Sequence, residues 1–252
     1  MTSETVTPTC PISGSDRIEE FFFQSDPDGG TVTWIRFPDS GFVCLQRMPS
    51  VDEIDDIQDE IGGDYMRVMT PKWKSKARRS KSRAKWLKRH MTGGSRVLDV
   101  GSNVGLFCAM AKEIGLQPEG IEISKNLARQ SAELFPEIPF HCTSLEAYSG
   151  PGEFDAIYCS EVIEHTIDPF DFAARLFQLL RKGGVLYLTT PDLEEYLTPD
   201  GAVTRFLGAP DHKLYFTREN IIPFLKRVGF SDVTHKRTWS FGKSGIQLLA
   251  TK

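Results

Sequence analysis

Short apolar runs and helix-spaced apolar stripes alternate along the last two thirds of the chain. Val97, Leu98 and Val100 form a run too short to hold a helical period, which predicts a buried strand. Leu106 to Ile114 returns as a helix pattern. Gly120 to Ile123, Phe140 to Cys142, Phe154 to Cys159 and Val185 to Pro191 read as further strands. Helices are predicted from Ser124 to about Leu134, from Asp168-Pro169 to Gly183-Gly184, and from Thr217 to about Val228, with cap residues or Pro at their starts and Gly at the ends of the last two. Val233 to Trp239 and Ile246 to Thr251 read as an antiparallel hairpin. The alternation predicts an α/β fold with a doubly wound, mostly parallel sheet of seven strands, the last one antiparallel.

The first 70 residues follow a different pattern. Thr31 to Arg36 alternates like a strand after a Phe-rich segment, Phe21 to Phe23. Val51, Ile54 and Ile57 punctuate an acidic stretch over 51–60, with Ser50 and Glu53 forming a capping box, so a short amphipathic helix is expected there. The organisation is therefore a small β-rich module over 1–70 and a larger domain over 71–252. Within the larger domain, 192–216 is a long irregular insertion of the sort that covers an active site.

Composition narrows the class without deciding it. The 252 residues are 40% hydrophobic and 25% charged, ordinary for a globular protein, and the net charge of -4 gives no global case for nucleic acid or an anionic membrane. No apolar run approaches the ~20 residues of a membrane span, and the N-terminus lacks the basic and apolar regions of a signal peptide. The five cysteines form no disulfide pattern, and Cys108, Cys142 and Cys159 lie in apolar runs where buried thiols are expected. An intracellular, cytoplasmic setting follows.

Chemistry concentrates behind the first core strand. Gly101-Ser102-Asn103-Val104-Gly105 is a tight turn between strand and helix, where glycine admits a left-handed backbone and close ligand approach. Glu122 follows about twenty residues on, at the end of the next strand, where an acid grips ribose hydroxyls. The glycine spacing excludes the dinucleotide fingerprint and so argues against a dehydrogenase. With Asp99 ahead of it, the turn resembles motif I of the class I S-adenosylmethionine-dependent methyltransferases, Asn103 standing for the middle glycine. Asn tolerates the left-handed region, so the turn survives. Phe154-Asp155-Ala156-Ile157 followed by Glu161-Val162-Ile163-Glu164-His165 and Asp168-Pro169 resembles motif IV of the ubiquinone-biosynthesis-type members.

The resemblance implies a Rossmann-like sheet that binds S-adenosyl-L-methionine. It implies cofactor contacts from Asp99, Gly101, Ser102 and Gly105 at the methionine end, and from Glu122 at the ribose. Ile123 and Leu145 would flank the adenine and Ser144 its edge, while Cys159 and Ser160 would lie near the methionine part. Among the basic residues over 72–89, Arg83 is a candidate for the cofactor's carboxylate. His165 and His212 are the candidate bases for an oxygen or nitrogen nucleophile on a small-molecule acceptor. Three other readings stand beside this. Glu161, Glu164 and His165 resemble the metal-binding segment of small-RNA 2′-O-methyltransferases, and could hold Mg²⁺. With the run from Lys72 to Arg89, that makes an RNA substrate the alternative. A non-catalytic cofactor-binding scaffold is the third. Finally, Cys10-Pro11-Ile12-Ser13-Gly14 and Phe37-Pro38-Asp39-Ser40-Gly41 resemble the two knuckles of a zinc ribbon. One thiol of four ligand positions cannot hold the metal, so a ribbon shape without zinc is expected.

Overall fold

The computed structural model describes residues 9–25, 30–49, 70–236 and 245–252. The acidic stretch over 51–60 and the end of the strand expected to reach Trp239 lie outside them. The core elements are α1 (Trp73–His90), β4 (Arg96–Val100), α2 (Leu106–Glu113), β5 (Gln117–Glu122), α3 (Lys125–Leu134), β6 (Phe140–Cys142), β7 (Phe154–Ser160), α4 (Pro169–Leu179), β8 (Leu180–Thr190), α5 (Ile221–Val228), β10 (Val233–His235) and β11 (Ile246–Thr251). They build a seven-stranded sheet of order β10-β11-β8-β7-β4-β5-β6, parallel from β8 to β6, with β11 antiparallel to β8. The expected architecture is present.

Period-2 alternation explains why both faces are covered. On β7 and β8, Ala156, Tyr158, Val185 and Tyr187 point to one face, where Ala84 and Leu87 of α1 and Phe107 and Ala111 of α2 pack. Ile157, Cys159, Leu186 and Leu188 point to the other, under Leu176 and Leu179 of α4 and Phe224 of α5. On the first face the rings of Phe107, Tyr158 and Tyr187 form a column, with centroids 3.7 Å and 5.2 Å apart. Helix starts follow the expected chemistry. The Ser124 hydroxyl accepts from Leu127 N, and the Asp168 carboxylate accepts from Phe170 N and Asp171 N with Pro169 in the first turn. Two readings change. Gly183-Gly184 lies inside β8 rather than ending α4, because pairing of Leu180 with Phe154 starts the strand early, and an irregularity precedes Val185. Cys142 is exposed, not buried, because β6 is the sheet edge.

The N-terminal strands β1 (Glu19–Ser25), β2 (Thr31–Phe37) and β3 (Phe42–Leu45) form an antiparallel sheet. On one face Trp34, Val43 and Leu45 pack with half-buried Phe21 and Phe22, on the other Phe37 and Phe42 join the core of the larger domain, and Phe23 faces out. The two knuckle-like turns close on each other. Gly14 N donates to Cys10 O and Gly41 N to Phe37 O, and Cys10 Sγ lies 3.2 Å from Ser40 Oγ. Phe37, at a third ligand position, is fully buried in the core. The sheet is not self-contained: β9 (Leu214–Tyr215), from the 192–216 insertion, pairs with β3 as its fourth strand.

At the other end of the central strands Asp155 ties three of them together. Its Oδ2 accepts Arg96 N at 2.9 Å and its Oδ1 accepts Arg181 Nε at 2.6 Å. Burial alone would raise its pKa; Arg181 and the Arg96 N–H outweigh burial and hold it below the ordinary range. A folded pKa below the unfolded one adds stability above the unfolded pKa, which is lost as pH falls through the folded value. Asp155→Asn is therefore expected to cost about 1–3 kcal/mol near neutrality, and the gap from wild type should close as urea melts are moved from pH 7 to about pH 3. A gap that widens in acid contradicts this account.

Candidate cofactor crevice and reaction centre

The turn after β4 is held from beneath and from the side. Gly101 N and Ser102 N both donate to Ile121 O, at 3.0 and 2.9 Å, which pins the turn to the end of β5. Gly101 has φ of 72°, and a Cβ there would lie 2.5 Å from Val162, whose segment crosses over the turn; Gly105 has φ of 75°, and a Cβ there would lie 2.4 Å from the Phe140 ring. Asn103 takes φ of 53° at the position expected to need it. Glu122, 7% exposed, closes the unit: Oε2 accepts Asn103 N at 2.7 Å and Oε1 accepts Ser124 N at 3.0 Å. Burial pushes its pKa up against those bonds. Both oxygens keep lone pairs for further donors.

The remaining predicted cofactor residues separate by exposure. Ile123 is 40% exposed beside the turn, whereas Leu145 is buried in the core, so only Ile123 offers an open apolar face. Ser144 Oγ accepts from Ala147 N. Asp99 is buried behind the turn with Cys108 Sγ donating to it at 3.4 Å, and burial raises its pKa to about 8. That contact ties β4 to α2. The Cys159 side chain is likewise sealed in the core. At the end of β7 a directed chain runs from cation to anion. Arg83 donates to Tyr158 OH and Ser160 Oγ, Ser160 bonds Thr189 Oγ1 at 2.7 Å, and Thr189 donates to Glu161 Oε1 at 2.7 Å.

Beyond β7, Glu164 and His165 lie in a short 3-10 helix (Ile163–His165) and meet the insertion. His165 Nδ1 is 2.8 Å from Asp211 Oδ1 and 3.0 Å from Asp211 O. Burial would lower the His165 pKa, but Asp211 and Glu164 outweigh it and hold it above the ordinary value. His212, its ring centroid 4.9 Å from that of His165, is pushed down to about 4 by burial and by His165. Glu164 is fully buried; Oε2 accepts from Thr190 at 3.0 Å, while Oε1 has no hydrogen-bond partner and lies 3.9 Å from His165 Nε2. Burial and Glu161 raise its pKa to about 8. One ligand atom from each of Glu164, His165 and His212 lies within 4.8 Å of the others. Glu161 is not in that group; its carboxylate serves Thr189. Asp211 and Tyr215, whose hydroxyl lies 2.8 Å from His212 Nδ1, were not singled out for these roles by sequence. Asp211 is a neighbour of His212 in sequence, but nothing local pairs it with His165.

Residues 71–235 match the family described as "Methyltransferase domain". The chain belongs to this methyltransferase family. The ubiquinone biosynthesis O-methyltransferase of Xanthomonas campestris pv. campestris is 35% identical over 103 residues, covering 38% of this chain and 43% of that protein. The enzyme of the same description from Aromatoleum aromaticum is 33% identical over 115 residues, covering 43% and 49%. The matched region thus spans less than half the length of these relatives. Among solved structures, the magnesium protoporphyrin IX methyltransferase of Synechocystis, with bound S-adenosylmethionine, superposes with a TM-score of 0.57 at 16% identity, covering 82% of this chain and 100% of that one. An S-adenosylmethionine-dependent methyltransferase from Mesorhizobium loti gives 0.52 at 20%, covering 67% and 96%. The fold is therefore that of the class I S-adenosylmethionine-dependent methyltransferases. No helix among the described residues is long and apolar enough to cross a membrane.

The crevice residues fit that cofactor. Ser102 Oγ is buried without a partner, the Glu122 carboxylate retains acceptor capacity, and Ile123 offers an apolar face beside both. Glu122→Ala is expected to weaken S-adenosylhomocysteine binding about ten- to hundredfold in calorimetry, and Glu122→Gln less, because a bond to a carboxylate is worth about 1.5–3 kcal/mol. Unchanged affinity for both variants would contradict the ribose assignment.

Proposed function

We propose that this methyltransferase moves the sulfonium methyl of S-adenosylmethionine to an oxygen or nitrogen of a small-molecule acceptor, with His165 as the base. The observation that carries this is Asp211 beside His165 Nδ1, with its backbone O at 3.0 Å and its Oδ1 at 2.8 Å. The Asp211 backbone carbonyl accepts the Nδ1 proton, the carboxylate beside it adds charge, and Nε2 is left to take a proton from the acceptor. The bound cofactor supplies an already activated methyl group. The chain's own residues bind, orient and exclude water. Gly101, Ser102 and Gly105 would hold the methionine end, Arg83 its carboxylate, Glu122 the ribose, and Ile123 with Ser144 the adenine. The insertion over 192–216 brings Asp211 and His212 to the acceptor side. The relatives named above, which act in ubiquinone biosynthesis and on magnesium protoporphyrin, support a small acceptor over RNA.

A second reading is favoured by one observation, the buried and unpartnered Glu164 Oε1 facing His165. A carboxylate and two imidazoles suit a divalent cation. In that case Glu164, His165 and His212 would be the ligands, with Glu161 supporting through Thr189. Transfer of radiolabelled methyl into a panel of small phenols and amines tests both. Asp211→Asn is expected to lower kcat about tenfold or more with cofactor affinity unchanged. Activity indifferent to EDTA supports the base. Activity lost with EDTA and restored by Mg²⁺ assigns the cation site. Full activity in both His165→Ala and Asp211→Asn sinks the His165 proposal.

A further inference from the structure

His212 is placed by a segment that belongs to two structures at once. On one side, Lys213 N donates to Glu164 O at 2.7 Å, next to the reaction centre. On the other, Leu45 N donates to Lys213 O at 2.9 Å, and Leu214 and Tyr215 pair with Cys44 and Val43 of β3. The Tyr215 ring is buried against Trp34, at 5.6 Å, and Tyr196, at 5.1 Å. Leu207, further back in the insertion, is tied to the same sheet by its N–H donating to Gln24 Oε1 at 3.0 Å. The N-terminal sheet is thus the frame on which both ends of the 207–215 segment are hung.

That frame fixes a proton. Tyr215 OH lies 2.5 Å from Leu207 O and 2.8 Å from His212 Nδ1. A carbonyl carries no hydrogen, so the bond to Leu207 consumes the one proton of the phenol, which stays protonated at neutral pH. The phenol oxygen can then only accept from His212. We propose that Tyr215 is a positioning residue that holds neutral His212, whose ring lies 4.9 Å from that of His165, in its Nδ1-protonated tautomer, leaving Nε2 as the lone-pair nitrogen. The N-terminal sheet, through β9, is then part of the methyl-transfer apparatus. The catalytic consequence rests on the reading of His212 as a working group, whether as base or as ligand. The tautomer assignment does not.

The experiment is long-range ¹H–¹⁵N correlation on the ¹⁵N-labelled full chain at neutral pH, with the His212 signals identified by their loss in His212→Gln. The wild type is expected to show Nδ1 protonated and Nε2 bare; the reverse pattern overturns the proposal, and does so even if variants fold poorly. In Tyr215→Phe the proton should move predominantly to Nε2. The kcat should fall about tenfold, with S-adenosylhomocysteine affinity within about twofold of wild type. An unchanged tautomer in Tyr215→Phe also overturns the proposal, since packing alone would then set it. A shifted tautomer with unchanged kcat upholds the assignment and removes His212 from the mechanism proposed above.

Discussion

The crevice depends on one buried carboxylate. Glu122 takes the N–H of Asn103 from the turn after β4 and the N–H of Ser124 from the start of α3, so two loops from adjacent parallel strands are locked by a single side chain. Parallel neighbours leave their C-terminal ends side by side, and an acid at the end of β5 is the shortest way to join them. Val162, crossing Gly101 from the β7 loop, adds the third wall. With the bonds from Gly101 N and Ser102 N to Ile121 O, that lock helps hold Gly101, Asn103 and Gly105 at positive φ, each a conformation with a steric or entropic cost.

The second constraint is long-range. Asp211, His212 and Tyr215 come from an insertion with little regular structure of its own, and the N-terminal sheet gives it order. The two knuckle-like turns of this module meet through the Cys10–Ser40 hydrogen bond and bury Phe37 in the core, and the module leans on the larger domain. Asn220 Nδ2 donates to Ser40 O, Arg227 donates to Pro11 O, and Phe42 packs on Phe216 at 5.0 Å. Its stability and that of the reaction centre are therefore coupled.

What was legible in the sequence follows the range of the interactions. The β4–turn–α2 unit, the Ser124 and Asp168 caps and the position of Glu122 are local, so residue type and spacing reveal them. The end of α4 was misplaced because Gly183-Gly184 signals a helix stop, while the pairing that begins β8 at Leu180 is tertiary. Cys142 sits in an apolar run, yet only the strand order shows β6 to be an edge. β9 is two residues long and carries no periodicity at all. The His165–Asp211 contact joins residues 46 apart, which no spacing rule connects.

The central claim is that the ends of β4, β5 and β7 form a binding site for the methyl donor. Calorimetric titration of the wild-type chain with S-adenosylhomocysteine tests it most directly. The account predicts one site per chain with a dissociation constant of the order of micromolar, about -8 kcal/mol. Absence of heat and of any thermal stabilisation by the ligand would contradict it, and the chain would then have to be read as a scaffold carrying the family's fold.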